Sequence, residues 1–251
     1  MKKTSFLMLA FVAMLCVGLV SCSKDKDDNN TTTTTNGGDN PGGGDNPGGG
    51  DNPGGQLSGG DWVDLGLPSG LLWFTRNVGA DAPEDYGYYF AWGEVVPKEN
   101  YSWETYRYGL NFLSITKYCG DSYYGLDGYT DNLTVLEADD DAATFNMGGD
   151  ARTPTYEEWC ELCNKTTAQW TSVNNVYGKM LTGPNGNSIF FPACGFRSGS
   201  ELKLVGEEGF YWSSTVDSCA DRAEAVEISA RRVLEGDRSH GYAVRAVRSA
   251  Q

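Results

Sequence analysis

Residues 62–73 read WVDLGLPSGLLW, and this stretch contains the first two strands from which the fold is predicted. Trp62–Leu65 and Leu71–Asn77 are short runs rich in apolar and aromatic residues, which is typical of β-strands. The Gly, Pro and Ser residues between the two runs are typical of a turn. The pattern therefore predicts a domain that opens with two short strands.

Similar short runs, bounded by Gly, Asn and Pro, continue to the C-terminus. Asn185-Gly186 separates two of them and is a strong hairpin signal. The further predicted strands are Tyr86–Trp92, Trp170–Val173, Tyr177–Thr182, Ser188–Pro192, Phe210–Ser214, Ala223–Ser229 and Tyr242–Val247.

Two short helices interrupt this series of strands. The first predicted helix is capped by Thr153, has Pro154 in its first turn, and carries Glu157 and Glu158 near its N-terminal end. Its apolar face is formed at i, i+3 and i+4 by Trp159, Leu162 and Cys163. A second helix is predicted near residues 139–141 and holds Ala142, Ala143 and Phe145. The fold class is therefore α+β, with antiparallel sheet and long irregular loops, and not an alternating βαβ fold.

The N-terminal residues 1–21 are predicted to be a lipoprotein signal peptide. Lys2 and Lys3 precede an apolar run, Phe6–Val20, which is shorter than the about 20 residues of a membrane span. The run ends in Leu-Val-Ser-Cys, which resembles the bacterial lipobox, so Cys22 is expected to be acylated and to anchor the mature chain in a membrane. An ordinary secreted protein with a cysteine at this position is the alternative.

Residues 22–60 are predicted to form a disordered tether. The unit Asp-Asn-Pro-Gly-Gly starts at Asp39, Asp45 and Asp51, and such a composition buries too little apolar surface to offset the entropy of ordering. A flexible coil of this length reaches roughly 30–35 Å. The mostly acidic stretch after Cys22 resembles an export signal of gut Bacteroidetes lipoproteins, which implies an outer-membrane location facing outside the cell.

Residues 61–251 are predicted to form one domain, because the composition becomes rich in aromatic residues at Asp61. The formal net charge of the chain is −15. Nucleic acid and anionic lipid require a basic surface, so the acidic balance argues against both as partners of the domain. Neutral glycans, proteins and cations remain compatible with it.

Several stretches of this domain, taken in order, resemble the Fibrobacter succinogenes major paralogous domain, which is common on surface proteins of gut Bacteroidetes. The stretches are Trp62–Trp73, Asn77–Ala80, Tyr88–Glu94, Asp140–Thr144, Arg152–Trp159, Tyr211–Thr215, Asp237-Arg238, Gly241 and Val244–Arg248. The resemblance implies a branch of the C-type-lectin-like fold, related to formylglycine-generating sulfatase modifiers. It further implies that the N- and C-terminal strands pair and that a long irregular insertion lies between them.

An enzyme is the less favoured interpretation of this domain. The sulfatase modifiers depend on a reactive cysteine pair close to the C-terminus, whereas Cys219 is the only cysteine after Cys194 in this chain. His240 is the sole histidine and has no nucleophile motif around it. No pair of acids can be selected from the sequence as a glycosidase pair.

No cofactor or metal is predicted. Cys160 and Cys163 have zinc-like spacing but no second pair, so they are interpreted as buried helix cysteines. Asp139–Asp141 could ligate calcium, as lectin-like relatives often do, but the run lacks the alternating spacing of a calcium loop, and helix-end charge is favoured. Five cysteines follow Cys22, so at least one is free or pairs with another chain.

The segment Val216–His240 is the predicted binding face. It lies between two family stretches, is rich in polar residues, and corresponds to the segment that retroelements diversify in some lectin-like proteins. Arginine beside acidic, hydroxyl and aromatic groups suits directional recognition. The candidate ligand-binding residues are Asp217, Ser218, Asp221, Arg222, Arg231, Arg232, Glu235 and His240. Val226 and Ile228 are predicted to face the core, and Asp237 and Arg238 to form an internal ion pair.

The sequence thus predicts a lipid-anchored surface domain that recognises an extracellular protein or glycan through C-terminal loops. Retroelement diversification of those loops is a narrower form of this hypothesis. A diverged modifying enzyme, a glycan-acting hydrolase and a structural subunit of a surface fibre are the alternatives.

Overall fold

The computed structural model describes residues 61–250. The predicted signal peptide, Cys22 and the predicted tether lie outside the described residues. Within them, no helix is both long enough and apolar enough to cross a membrane.

The described chain is mostly β-structure, with two short helices and several antiparallel sheets. The strands are β1 (Trp62–Asp64), β2 (Leu71–Asn77), β3 (Tyr89–Phe90), β4 (Thr167–Val173), β5 (Val176–Thr182), β6 (Ser188–Pro192), β7 (Phe196–Ser198), β8 (Glu201–Lys203), β9 (Phe210–Val216), β10 (Arg222–Glu227), β11 (Arg232–Asp237), β12 (Tyr242–Ala243) and β13 (Arg245–Ser249). The helices are α1 (Ala142–Met147) and α2 (Tyr156–Lys165). The predicted antiparallel sheet and short helices are confirmed.

The first and last strands belong to the same three-stranded sheet, in the order β1-β2-β13. The last strand pairs antiparallel with β2, where Val247 lies opposite Trp73, and β1 pairs with the other edge of β2. The last strand therefore pairs with the second strand and not with the first, and all three share one sheet with β2 in the central position. This sheet fixes both ends of the domain against each other.

A five-stranded sheet, in the order β11-β10-β9-β12-β3, lies at the centre of the domain. Neighbouring residues of β9 face opposite sides, so Trp212 belongs to one core cluster and Tyr211 to the other. Both faces of the sheet are therefore buried. Val226 and Ile228 are fully buried in the second cluster, as predicted.

The predicted strand bounds agree best where the apolar pattern is strongest. Strands β2 and β6 coincide with their predictions, and the predicted hairpin at Asn185-Gly186 joins β5 to β6. The predicted strand Tyr242–Val247 is divided at Val244, because its two halves join different sheets as β12 and β13. Strands β7, β8 and β11 were not predicted, since they are short or polar and gain their order from pairing.

Helix α2 begins two residues later than predicted. Thr155, and not Thr153, is the N-cap: its side chain accepts a hydrogen bond from the Glu158 amide, and Glu158 in turn accepts one from the Thr155 amide. Thr153 is buried and donates its hydroxyl to Asp141 at 2.6 Å. The predicted apolar face of the helix is confirmed, because Trp159, Leu162 and Cys163 are all buried.

Candidate functional site

The structure places the candidate ligand-binding residues in three groups, two on the β9-β10-β11 meander and one, His240, beyond it. Asp217, Ser218 and Asp221 occupy the turn between β9 and β10, and Arg222 opens β10. Glu235 on β11 joins them, because its carboxylate accepts a hydrogen bond from the Arg222 guanidinium at 2.8 Å. These five residues form one polar group at one end of the hairpin.

Arg231 and Arg232 lie at the opposite end of the same hairpin. Arg222 pairs in register with Asp237 and Glu227 with Arg232, so the two ends are five residues apart, or roughly 16 Å. Arg231 donates hydrogen bonds to the carbonyls of Cys163 and Thr166 at the C-terminal end of α2. Arg232 pairs with the buried Glu227 at 2.6 Å. Both arginines are thus engaged within the domain and stand apart from the first group.

His240 occupies a third place, beside β7. Its ring lies 5.4 Å from the Phe196 ring and 6.4 Å from the Tyr242 ring. Burial lowers the pKa of His240 below its ordinary value. The histidine is therefore neutral at pH 7 and packs as an aromatic side chain.

Arg238 is fully buried, but the predicted ion pair between Asp237 and Arg238 is wrong. The guanidinium donates hydrogen bonds to the Tyr106 hydroxyl at 2.9 Å and to three backbone carbonyls, those of Lys117, Tyr118 and Ala220. It also lies 4.6 Å from the Trp92 ring centroid. Asp237 instead accepts hydrogen bonds from Ser239 and from the indole of Trp103. The long side chain of Arg238 reaches several acceptors, whereas the carboxylate of the adjacent Asp237 binds Trp103 and Ser239.

The contacts of Arg238 join the insertion between β3 and α1 to the β9-β10 turn. Lys117 and Tyr118 belong to the insertion, and Ala220 belongs to the turn. Beside them, Ile115 and Cys119 of the insertion are buried against Ala220 in a small cluster of their own. The insertion also pairs with the end of β9 through a bridge between Val135 and Thr215. The two segments therefore form a continuous surface.

The insertion exposes an unusual number of large apolar side chains. Leu110 is 71% exposed and Tyr123 is 67% exposed, whereas Ile115, which lies between them in the sequence, is fully buried. Between residues 110 and 129, the exposed large apolar side chains are Leu110, Phe112, Leu113, Tyr123, Leu126 and Tyr129. Exposed apolar groups that are concentrated in this way mark interaction sites more often than scattered ones do. We call these six residues, together with Asp217, Ser218, Asp221, Arg222 and Glu235, the recognition face.

The apolar half of the recognition face was not predicted from the sequence. The aromatic residues of the insertion were expected to serve the core, because apolar residues are buried more often than not. The signal that could have found them is the absence of alternation: Tyr123-Tyr124 lies between Gly120 and Gly125, in a stretch with neither strand nor helix period.

Behind the polar group, Glu224 stands among like charges. It lies directly opposite Glu235 on β11, and Asp217 is close enough to share a hydrogen bond with it. Burial, reinforced by the charges of Asp217 and Glu235, raises the pKa of Glu224 to about 7. The carboxyl group is therefore partly protonated at neutral pH, which permits the hydrogen bond between two acids.

Replacing Glu224 by glutamine is expected to stabilise the domain by about 1 kcal/mol at pH 8, after discounting for the half-exposed position. Because the folded-state pKa lies above the ordinary value of 4.5, the fold binds an extra proton between about pH 4.5 and 7. Wild-type stability should therefore rise as the pH falls through this window, and Glu224→Gln should lose that part of the rise. Thermal unfolding at pH 5 and 8 measures it.

The exposed Asp150 offers the matched control for Glu224. Asp150→Asn removes the same formal charge and should change the two melting temperatures equally. If Glu224→Gln behaves in the same way as Asp150→Asn, the raised pKa of Glu224 is wrong.

The acidic run at residues 139–141 is used within the fold. Asp141 accepts hydrogen bonds from the amides of Ala143 and Thr144 and so caps α1, which confirms helix-end charge for this residue. Asp140 is buried and pairs with Lys117 at 2.6 Å. Although burial acts to raise it, hydrogen bonds from Lys117, Tyr108 and Tyr118 hold the pKa of Asp140 below its ordinary value.

The buried cysteines of the domain have the environment of inert thiols. Cys119 and Cys194 are free and buried, so at least one unpaired cysteine is confirmed. Burial raises the pKa of the Cys194 thiol to about 11 and also raises that of Cys119. Both therefore stay protonated at neutral pH. Among residues 61–250, no group of three or more His, Cys, Asp and Glu side chains is arranged to hold a metal ion.

Comparison with known proteins returned no matching family model, no matching curated protein and no matching solved structure. The function must therefore be argued from the residues of the site.

Proposed function

We propose that this protein is a lipid-anchored surface receptor, whose lectin-like domain binds an extracellular ligand through the recognition face. In this proposal, residues 1–21 direct export, the lipid on Cys22 anchors the chain in the outer membrane, and residues 22–60 hold the domain away from the outer surface. The domain is a member of the C-type-lectin-like fold and is not an enzyme.

The observation that carries this proposal is the packing of the insertion, which exposes apolar side chains, against the β9-β10 turn, which carries the polar groups. Leu110, Phe112 and Tyr123 offer apolar area, while Asp221 and Arg222 lie across the buried Ala220 contact. Binding surfaces commonly combine apolar and aromatic anchors with a polar rim. A monomeric domain gains nothing in stability from leaving such side chains in water.

Two structural features support the lectin-like fold. The chain ends share the sheet β1-β2-β13, as that resemblance implies. The Trp-Ser-Ser stretch lies on β9, inside the central sheet, and the Trp212 indole donates a hydrogen bond to the Phe90 carbonyl at 2.7 Å. The loops after β9 and before β12 lie at the ends of these strands, where variation costs little core packing.

The charge of the recognition face favours one kind of ligand. Asp217, Asp221 and Glu235 surround a single candidate arginine, Arg222, which is already paired. A partner that brings apolar side chains with basic groups around them complements this surface. A protein ligand therefore fits the face better than a neutral glycan does, and its binding should weaken with salt.

Replacing Phe112 and Tyr123 together by aspartate is expected to weaken ligand binding at least about 100-fold, because two aromatic anchors are each worth roughly 1.5 kcal/mol or more. The full chain, solubilised in detergent, would be screened against arrays of extracellular proteins and of glycans, and each hit would be titrated with the variant. Tyr177, which is 55% exposed on β5, supplies the matched control Tyr177→Asp.

The same titration tests the polar half of the face. Asp221→Asn with Arg222→Gln should reduce affinity for the hit and its salt dependence together. A hit that binds the Phe112 and Tyr123 variant as tightly as wild type, or no hit at all for the wild-type chain, would contradict the proposal. Substrate turnover by the wild-type chain would favour an enzyme instead.

A further inference from the structure

A second site lies outside the recognition face, in an open cleft of about 350 Å³. One wall is the segment from Pro97 to Tyr101, the other is the β7-β8 hairpin, and the floor is formed by residues 87–89. Its volume lies at the small end of the range of ligand pockets, which begins near 300 Å³. The lining includes Tyr88, Tyr89, Tyr101 and Arg197, so it is aromatic with one fork of hydrogen-bond donors.

Arg197 is the cationic group that the fold leaves available in this cleft. Its guanidinium lies 5.3 Å from the ring centroid of Tyr89, and within residues 61–250 it has neither a hydrogen-bond acceptor nor an ion-pair partner. Other arginines of this acidic chain pair with carboxylates, namely Arg76, Arg107, Arg152, Arg222 and Arg232. The five N–H groups of Arg197 are thus free to receive an acidic ligand.

The surroundings of Arg197 are rigid. Its backbone exchanges hydrogen bonds of 2.8 and 2.9 Å with Gly241. The Tyr89 ring beneath it is fixed, because its hydroxyl donates to the Cys194 carbonyl at 2.6 Å. Tyr101 in turn donates to the Tyr89 carbonyl at 2.6 Å. A site held in this way loses little entropy when it binds a ligand.

The remaining groups of the cleft add a stacking surface, a hydroxyl group and one carboxylate. Tyr88 is 48% exposed, and its ring is supported from behind by Gly79, where an added Cβ would lie 2.3 Å from the ring. Ser200 and Glu99 offer hydroxyl and carboxylate groups at the rim. Lys98 is already neutralised by Glu94 at 2.8 Å. Arg197 is therefore the anion-binding group, and Tyr88 is the platform.

The geometry points to a sugar that carries a carboxylate, such as a uronic acid or a sialic acid, as the ligand of this cleft. The planar guanidinium of Arg197 matches a carboxylate with two parallel hydrogen bonds. The exposed face of Tyr88 suits the apolar C–H face of a sugar ring, and the hydroxyl groups of the sugar find partners in Ser200 and Glu99. The inference goes beyond the proposed function and holds whether or not the recognition face binds a protein.

The test is titration of the full chain in detergent with digalacturonic acid and with 3′-sialyllactose, against the carboxyl-free counterparts digalactose and lactose. We expect at least one acidic sugar to bind saturably and about tenfold or more tightly than its neutral counterpart, as the loss of a charge-assisted pair predicts. Acetyl-trialanine, a carboxylate without a sugar, should bind no better than the neutral sugars.

Substitutions in the cleft assign the roles of its residues. Arg197→Gln should remove the tenfold preference for the acidic sugar, and Arg197→Lys should restore part of it, since a lysine keeps the charge but not the fork. Tyr88→Leu should weaken the binding of the acidic sugar and of its neutral counterpart by the same factor. Arg222→Gln, on the recognition face, should leave sugar binding unchanged, and equal melting temperatures would show that the variants fold.

Three outcomes would overturn the inference. The first is that neither acidic sugar binds the wild-type chain. The second is that Arg197→Gln binds the acidic sugar as tightly as the wild type does. The third is that the peptide carboxylate binds more tightly than both acidic sugars, which would assign the cleft to protein C-termini. The Phe112 and Tyr123 double variant should retain sugar binding, so failure here and failure of the recognition face are distinguishable.

Discussion

Replacing Arg238 by methionine is expected to lower the free energy of unfolding by about 4 kcal/mol, near the top of the range for single substitutions. Methionine fills much of the same volume, so the cost comes from the acceptors. The substitution leaves the carbonyls of Lys117, Tyr118 and Ala220 buried without their donor. The rings of Trp92 and Tyr106 lose the cation that lies over them as well.

Chemical denaturation of the full chain measures this loss, with Arg107→Met as the matched control. The Arg107 side chain is 57% exposed, and its ion pair with Asp140 is long, at 3.8 Å. Its replacement should therefore cost less than about 1 kcal/mol. Arg238→Lys should remain severely destabilised, because one ammonium group cannot reach four acceptors in different directions. A loss below about 1 kcal/mol for Arg238→Met would show that the insertion is held by its other contacts.

A second consequence of Arg238→Met concerns the recognition face. Because Arg238 joins the insertion to the β9-β10 turn, its loss should expose residues 107–136 to proteolysis before the rest of the domain unfolds. Ligand binding should fall together with this local order. A framework residue that touches no ligand would thereby control affinity.

Replacing Cys22 by alanine is expected to release the protein from membranes completely. If the acyl chains on Cys22 are the anchor, the substitution removes the attachment of the chain to the membrane. Cell fractionation and metabolic labelling with palmitate measure the change. Both membrane association and label should disappear.

Cys16 provides the matched control for this substitution. It lies inside the apolar run and is preceded by Leu15 rather than by a small residue such as Ser21, so Cys16→Ala should leave labelling and membrane association intact. Retention of the Cys22→Ala protein in the membrane fraction would exclude lipid on Cys22 as the anchor. Loss of label with both variants would point to an effect on export.

The hairpin β10-β11 shows how far a polar segment can be predicted. The eight candidate residues were grouped by sequence alone, yet Arg231 and Arg232 lie at the end of this hairpin opposite Asp221 and Arg222. A turn at residues 228–231 reverses the chain, and the polar pattern of β11 gave no signal of that strand. Residues that are close in sequence were therefore separated by roughly 16 Å through strand pairing.

The bounds of the α2 helix show the opposite case, in which local chemistry was almost sufficient. The apolar face at Trp159, Leu162 and Cys163 follows from spacing alone, and it is buried. The cap was displaced by two residues, because Thr155 satisfies the capping box with Glu158 while Thr153 is drawn to Asp141. A threonine at either position suits an N-cap. Thr153 does not serve as one because its hydroxyl binds Asp141, the N-cap of α1.

The sequence by itself determined the bounds of β2 and β6, the buried face of α2 and the hairpin at Asn185-Gly186, because each depends on residues a few positions apart. Only the tertiary structure decided that Arg238 binds carbonyls up to 121 residues away, and that Arg197 is left without a carboxylate above Tyr89. Such partners depend on how sheets and loops pack, since a hydrogen bond between distant segments leaves no periodic signal in either one. The recognition face and the cleft both depend on such contacts between segments that are distant in the sequence.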